Sequence, residues 1–319
     1  MTKPPVKISL KGAFLFLTVV AGIFFVSWFA SRNARSQNSD LVQTPHLVTI
    51  TSSGPVSSPL NATTQLNQDL TAEAIVANSD HLKLLCADAQ GKIIEDHLYS
   101  DTFETVIPLR VYFPPCGNPD IESHLSYATL YLLHGLGSDE SQWVNLGLEE
   151  VMNASMMADI SPFIVVMPQV PEMYIWPSDK NVIFFIDELI PYIDNRYPTL
   201  TDRAHRAIGG LSRGAAWALR IGLTHPDYFG KIGLHSLPLY DDEVTHWASV
   251  LSKMESSATP QIFMDIGKND KDLGSTVLFD QLLNSLNVLH EYNLFDGNHD
   301  EVYWSEHLPI YLEWYAQGW

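Results

Sequence analysis

Cysteine and positive charge are scarce in this chain of 319 residues. The two cysteines, Cys86 and Cys116, fit neither a zinc motif nor a C-x-x-C redox motif. Lysine and arginine together number 18 against 37 aspartates and glutamates, which gives a formal net charge of −19. A surface of that sign repels nucleic acids and anionic lipid head groups, so we expect no nucleic-acid partner. Two states of the cysteines stay open: a disulfide if the chain is exported, or two buried thiols.

One long apolar run interrupts the sequence, from Gly12 to Ala30. At a rise of about 1.5 Å per residue, it nearly spans a hydrocarbon core of about 30 Å. Lysines precede the run and arginines follow it, a mild bias that puts the N-terminus inside and the remainder outside. A cleaved signal peptide is the competing interpretation, but it normally has a shorter apolar region and a small-x-small site, whereas Trp28 stands two residues before Ala30. We therefore predict an uncleaved transmembrane anchor over residues 1–31.

Residues 32–80 are rich in Ser, Thr, Asn, Gln and Pro and show no helical period. This composition is typical of a flexible linker, here one that holds the following domain away from the membrane. Residues 81–319 form the predicted catalytic domain. We expect that domain to lie outside the cytoplasm, on an anchor or, in the competing interpretation, secreted after signal cleavage.

Short apolar runs alternate with helical patterns from residue 81 onward. Several runs are continuous stretches of Val, Ile and Leu, as in parallel strands covered on both faces. Two initial strands followed by repeated strand–helix units predict one α/β domain with a mostly parallel, eight-stranded sheet. About 24 residues separate the sixth and seventh strands, too few for a large cap, so we expect an open site. The predicted strands are 92–100, 107–113, 128–134, 163–168, 204–210, 231–236, 261–267 and 289–295, and the predicted helices are 182–197 with a kink at Pro191, 213–225, 276–287 and 307–316.

Ser212 lies in a Gly-Leu-Ser-Arg-Gly sequence, between a predicted strand that ends in two glycines and a predicted helix that begins at Arg213. Strand, tight turn and helix in this order are the context of a nucleophile elbow, where the flanking glycines avoid clashes of Cβ atoms. The N-terminus of the helix supplies N–H donors where an oxyanion would form. A small residue at an ordinary strand–helix turn is the alternative. The context favours a nucleophile.

A serine nucleophile needs a base and an acid, which follow it in the order Ser, Asp, His on this type of fold. Asp270 stands in a turn directly after the seventh predicted strand, with Asp272 as the second choice, and Asp265 is expected to be structural. His299 follows the last predicted strand, behind an Asp-Gly-Asn turn. A metal site built on His299, Asp300, Glu301, Glu306 and His307 lacks the H-E-x-x-H spacing, so we expect neither a metal nor an organic cofactor.

The oxyanion needs a second N–H donor besides that of Arg213. The strand ending in His134 delivers the loop with Leu136 and Gly137 to the same edge of the sheet, so Leu136 N–H is the first choice and Gly137 N–H the second. Some large side chains fall on segments expected to border the site, although a tryptophan is more often part of the core. These candidate substrate contacts are Trp143, Trp217, His235 and Trp304.

Six stretches, in order, resemble the "Putative esterase" family of α/β hydrolases, which includes esterase D-like S-formylglutathione hydrolases, feruloyl esterases, enterochelin-type esterases and the antigen 85 mycolyltransferases. They run from about residue 91 to the C-terminus. The stretches are LRVYFPP, YLLHGLGSDESQW, DELIPYIDNRYPT, IGGLSRGAAWALRIGLTHPDYF, IGKND and GNHDEVYW.

The resemblance implies an α/β-hydrolase fold, the triad Ser212, Asp270 and His299, and oxyanion donors at Leu136 and Arg213. It also implies that Cys86 and Cys116 are paired, as in secreted members. Family elbows often read G-x-S-M-G-G, and here Arg213 and Ala215 replace the Met and the second Gly. The arginine side chain either alters selectivity or packs against a nearby carboxylate.

The leading hypothesis is a membrane-anchored, extracytoplasmic serine esterase that acts on a small-molecule, glycan or lipid ester through an acyl-enzyme. The same triad would serve an acyltransferase that passes the acyl group to a sugar or lipid hydroxyl. A non-catalytic surface protein that keeps the fold would be expected to lack a triad residue, and all three are present.

Overall fold

The computed structural model describes residues 90–115, 117, 125–156, 160–171, 179–239 and 243–319. The strand bounds agree with the predicted runs to within two residues. The eight strands are β1 (Lys92–Ser100), β2 (Thr105–Phe113), β3 (Ala128–Leu133), β4 (Phe163–Pro168), β5 (Arg206–Leu211), β6 (Lys231–His235), β7 (Gln261–Gly267) and β8 (His290–Phe295).

The strands form one sheet in the order β1-β2-β4-β3-β5-β6-β7-β8. β2 runs antiparallel to both β1 and β4, and all other neighbours are parallel, with Leu130 opposite Ala207 between β3 and β5. The prediction of an eight-stranded, mostly parallel sheet is therefore confirmed. Because parallel strands share a carboxyl edge, the turns after β3, β5, β6, β7 and β8 meet along one side of the sheet.

Helices cover both faces of this sheet. Alternate residues of β3 show the division: Leu130 and Leu132 belong to one buried cluster, Tyr131 and Leu133 to the other. Burial on both faces explains why the central strands are continuous apolar runs. The helices are α1 (Gln142–Asn145), α2 (Leu148–Met156), α3 (Asp179–Ile183), α4 (Ile190–Arg196), α5 (Arg213–Thr224), α6 (Glu243–Leu251), α7 (Leu273–Ser285) and α8 (Glu301–Ala316), with a 3₁₀ turn at Arg203–His205.

Three helices, α1, α2 and α6, were not predicted, and two of the predicted helices differ clearly from the structure. The expected helix over 182–197 is α3 followed by a π-helical turn, Phe184–Leu189, and then α4. These three pieces form one continuous helical run, in which the N–H missing at Pro191 removes one bond of the regular helix, so the irregularity lies just before the proline. The last helix begins six residues earlier than expected, because the Asp300 carboxylate accepts a hydrogen bond from Tyr303 N–H (3.0 Å) and caps α8.

Several predictions fall outside the described residues: the transmembrane anchor over 1–31, the linker over 32–80, and the cysteines Cys86 and Cys116. Within the ranges that the structure describes, no helix is both long and apolar enough to span a bilayer. Between β6 and β7 the described residues form one nine-residue helix, α6, in keeping with the expected absence of a large cap there.

Candidate active site

Ser212 occupies the turn between β5 and α5 with a strained backbone, φ 52° and ψ −121°. Its N–H donates to the His235 carbonyl (2.8 Å), which holds the turn against β6. The glycines on either side leave no room for a side chain, since a Cβ at Gly210 would lie 2.4 Å from the carbonyl carbon of Gly214, and one at Gly214 would lie 2.3 Å from the carbonyl oxygen of Leu133. Strain of this kind persists only where the surroundings enforce it, as in a nucleophile elbow.

The turns after β7 and β8 bring an imidazole and a carboxylate to this serine. His299 Nε2 lies 2.8 Å from Ser212 Oγ, and His299 Nδ1 lies 2.9 Å from both carboxylate oxygens of Asp270. A carboxylate only accepts, so Nδ1 carries the proton and Nε2 is left as the acceptor facing the serine hydroxyl. This arrangement allows Ser212 to pass a proton to His299.

Asp270 rather than Asp272 is the partner of the imidazole. The nearest oxygen of Asp272 lies 3.6 Å from His299 Nδ1, beyond hydrogen-bond distance, whereas its backbone N–H donates to Asp270 Oδ1 (2.8 Å). Burial alone would raise the pKa of the Asp270 carboxyl, but hydrogen bonds from His299, from Asp272 N–H and from the Ser236 hydroxyl outweigh it and hold that pKa below its usual value. Asp270 is therefore ionised at neutral pH.

The loop after β3 is fixed by two buried side chains. His134 Nδ1 donates to the Gly135 carbonyl (2.8 Å), and its Nε2 accepts from Val170 N–H (3.0 Å). Gln142 Oε1 accepts from Gly135 N–H (2.8 Å). Burial lowers the pKa of His134, which suits a neutral ring with one donor and one acceptor. These contacts hold Leu136, the predicted oxyanion donor, on a rigid loop, and its side chain is 73% exposed.

Arg213 is the first residue of α5 and directly follows Ser212, so its N–H lies at the N-terminus of the helix beside the serine. Its guanidinium Nη2 donates to the Gly135 carbonyl at 3.3 Å. The side chain therefore braces the loop that carries Leu136, which favours the packing interpretation over a role in selecting substrate.

The prediction of substrate contacts is wrong for three residues, because their side chains are buried. Trp143 is 1% exposed and donates to the Leu133 carbonyl (3.1 Å), and Trp217 is 2% exposed within the core. His235 has no exposed surface, and its Nδ1 pairs with Asp265 (2.6 Å). None of the three offers surface to a ligand.

Trp304 does border the site, but from behind it. It is 5% exposed, and its ring meets that of His299 edge to face with centroids 5.0 Å apart. Its Nε1 donates to Ser236 Oγ (3.0 Å). The expected contact with substrate is therefore replaced by a contact with the base. The sequence does not single out Ser236 or Gln142, since a serine after a strand and a glutamine at the start of a short helix carry no distinctive pattern.

One group of potential metal ligands occurs among the described residues: Asp270, Asp272 and His299 each offer an atom within 4.8 Å of the others. In the arrangement described above, His299 Nδ1 and the Asp270 carboxylate are each other's hydrogen-bond partners. The alternative cluster around residue 300 is engaged elsewhere, since Asp300 caps α8 and His307 Nδ1 bonds the Tyr303 carbonyl (2.7 Å).

The strand order and the serine-bearing turn define an α/β hydrolase. The fold is shared with a solved ferulic acid esterase at a TM-score of 0.64, with 24% sequence identity over 72% of this chain and 99% of that one. Among curated proteins, an endo-1,4-β-xylanase/feruloyl esterase of Xylanibacter ruminicola is 36% identical over 126 residues, which are 37% of this chain and 17% of that protein. An acetyl esterase of Caldicellulosiruptor saccharolyticus is 24% identical over 238 residues, which are 62% of this chain and 86% of that one.

The sequence profile of the family described as "Putative esterase" matches residues 100–315. The chain belongs to this esterase family, as the sequence motifs predicted. The chain spans about half or less of the length of the first two curated relatives that it matches, 17% and 53% respectively.

Proposed function

We propose that this chain is a serine carboxylic-ester hydrolase with Ser212 as nucleophile, His299 as general base and acid, and Asp270 as the residue that orients the imidazole. The observation that carries the proposal is the continuous contact from Ser212 Oγ to His299 Nε2 (2.8 Å) and from His299 Nδ1 to Asp270 (2.9 Å). A serine hydroxyl is a weak nucleophile until such a base removes its proton.

In the proposed reaction, Ser212 Oγ attacks the ester carbonyl carbon while His299 Nε2 takes the hydroxyl proton. The ionised Asp270 stabilises the resulting imidazolium. The N–H groups of Leu136 and Arg213 bind the oxyanion, a contribution of about 10²- to 10³-fold in rate for each donor. His299 then returns the proton to the leaving alcohol. Water, activated by the same imidazole, attacks the acyl-enzyme and releases the acid.

Two acyl classes are proposed from the relatives, which are named as feruloyl and acetyl esterases. The exposed Leu136 side chain, on the loop after β3, offers an apolar contact that supports a hydroxycinnamoyl or short acyl ester. We further propose that the domain is anchored in a membrane and faces outward. The apolar run from Gly12 to Ala30 and its basic flanks support this location. Resistance of the full chain to alkaline extraction, together with access of external protease to the domain, would test it.

The full-length chain, solubilised in detergent, should hydrolyse p-nitrophenyl acetate or methyl ferulate, and a fluorophosphonate should label Ser212. Ser212→Ala should abolish both activity and labelling. Ser138→Ala, in the neighbouring loop, is a matched control for loss of a serine. An inactive wild type without label at Ser212 refutes the proposed function, and a fully active Ser212→Ala variant refutes the nucleophile.

A further inference from the structure

Ser236, the residue that follows β6, is completely buried and has a positive φ of 56°. A positive φ strains any residue with a Cβ, so the surroundings must hold the backbone in place. They do so in part through Ser236 N–H, which donates to the Asp265 carbonyl at 2.9 Å. The side chain of Ser236 therefore projects from a fixed point at the end of β6, beside β7.

The direction of the Ser236 hydroxyl follows from its partners. Trp304 Nε1 lies 3.0 Å from Ser236 Oγ, and an indole nitrogen can only donate, so the serine oxygen accepts from it. The hydroxyl proton is then available to the Asp270 carboxylate, whose pKa the Ser236 hydroxyl helps to hold below its usual value. Donation therefore runs from the Trp304 indole to the Ser236 hydroxyl and on toward the carboxylate.

Helix α8 carries Trp304, and neighbouring contacts hold this helix in place. Tyr303, beside Trp304, donates its hydroxyl to the buried Asp265 carboxylate at 2.6 Å. The ring of Trp304 also meets the His299 ring edge to face, at 5.0 Å and 81°. One tryptophan thus contacts the base directly and reaches the acid through one hydroxyl.

We propose that Ser236 and Trp304 are positioning residues, which hold the Asp270 carboxylate and the His299 imidazole in register with Ser212. The inference rests on the proposed function, because it assigns the reacting proton to the Ser212–His299 pair. No covalent bond forms or breaks between Trp304, Ser236 and Asp270. The contribution of Ser236 and Trp304 is to keep the carboxylate oriented and ionised as the imidazolium forms, so it acts on the chemical step more than on substrate binding.

The test measures kcat and KM of the full-length chain on a p-nitrophenyl ester. Ser236→Ala should lower kcat by about 10- to 100-fold with KM within about twofold, the usual size for a hydrogen bond to a charged group. Trp304→Phe keeps an aromatic ring against His299 but removes the donor, and should lower kcat by about 3- to 10-fold. The matched controls are Ser100→Ala, a buried serine in β1, and Trp247→Phe, a buried indole in α6 whose Nε1 has no hydrogen-bond partner among the residues that the structure describes.

A double-mutant cycle separates positioning from packing. In an Asp270→Asn background, Ser236→Ala should cost less than about twofold, because the charged acceptor is gone. An equal loss in both backgrounds, or unchanged kcat in both single variants, would overturn the proposal. If Ser236→Ala fails to fold, Trp304→Phe decides. Fluorophosphonate labelling of the wild type separates the positioning role from the proposed function. If the wild type is labelled and the variants are unaffected, the positioning role alone is refuted. If the wild type is not labelled, the proposed function is refuted.

Discussion

Gly214→Ala tests how closely helix α5 must approach β3 for the elbow to form. The new Cβ would lie 2.3 Å from the Leu133 carbonyl oxygen and 2.8 Å from that of His134. Both are backbone atoms at the end of the central strand, so neither can rotate away. Reaching ordinary contact distance requires α5 and the loop after β3 to separate by roughly 1 Å.

Two magnitudes follow from that separation. Overpacking against backbone typically costs about 1–3 kcal/mol, and the rigid sheet on one side places Gly214→Ala at the upper end. Ser212 lies on the turn that would move, whereas His299 lies after β8, and a misplacement of about 1 Å between reacting atoms can reduce the rate by about 10²-fold. We therefore expect both lower stability and lower kcat/KM.

Gly274→Ala is the matched control, because no atom of the described residues lies within 4 Å of a Cβ at that position of α7. It should stabilise the protein slightly, by about 0.5–1 kcal/mol, since alanine loses less backbone entropy in a helix. Urea unfolding measures the stabilities, and hydrolysis of p-nitrophenyl acetate measures kcat/KM. A Gly214→Ala variant with the unfolding midpoint and kcat/KM of the wild type would refute the close-approach argument, as would equal destabilisation by Gly274→Ala.

Further outcomes concern the acid of the triad and one buried lysine. Asp270→Asn should lower kcat by about 10³- to 10⁴-fold, because the amide favours the wrong imidazole tautomer, whereas Asp272→Asn should cost less than about tenfold; equal losses would contradict the assignment. Burial lowers the pKa of Lys231 from 10.5 to about 8, so between pH 8 and 10 the unfolded chain holds a proton that the native protein has lost. The free energy of unfolding should therefore rise with pH there, by at most about 1.4 kcal/mol per unit, and Lys231→Met should remove the rise. Urea unfolding across this range checks it, and parallel profiles for the two proteins would count against the lysine.

Much of the sheet could be predicted from the sequence because its signals are local. The runs that became β3, β4 and β5 are continuous and apolar, since both faces of each strand are covered, and their spacing left room for helices between them. The start of α8 was missed because its cap, Asp300, lies within the polar turn that carries the histidine. The interruption of the helix predicted over 182–197 was also missed, since a π-helical turn leaves no clear pattern in an apolar stretch.

Some residues of the candidate site could be predicted from the sequence, and others could not. Ser212, Asp270 and His299 could be chosen from the sequence because each follows a recognisable strand in a short turn, and parallel strands bring such turns to one edge. The four aromatic side chains proposed as substrate contacts could not be judged, because sequence position does not tell which way a tryptophan at a sheet edge points. Trp143 and Trp217 turn inward to the core, and Trp304 turns to the histidine.

The sequence by itself determined the order of strands and helices, the serine between its glycines, and the acid and base that follow, since these depend on residue type and local spacing. The tertiary structure alone decided that Asp270 and not Asp272 meets His299, and that the Trp304 indole meets the Ser236 hydroxyl. Those facts depend on the packing of β6, β7 and α8 against one another, in which side chains distant in the chain meet within hydrogen-bond distance. The physical reason is that hydrogen-bond partners are selected to within a few tenths of an ångström, a precision that local pattern does not carry.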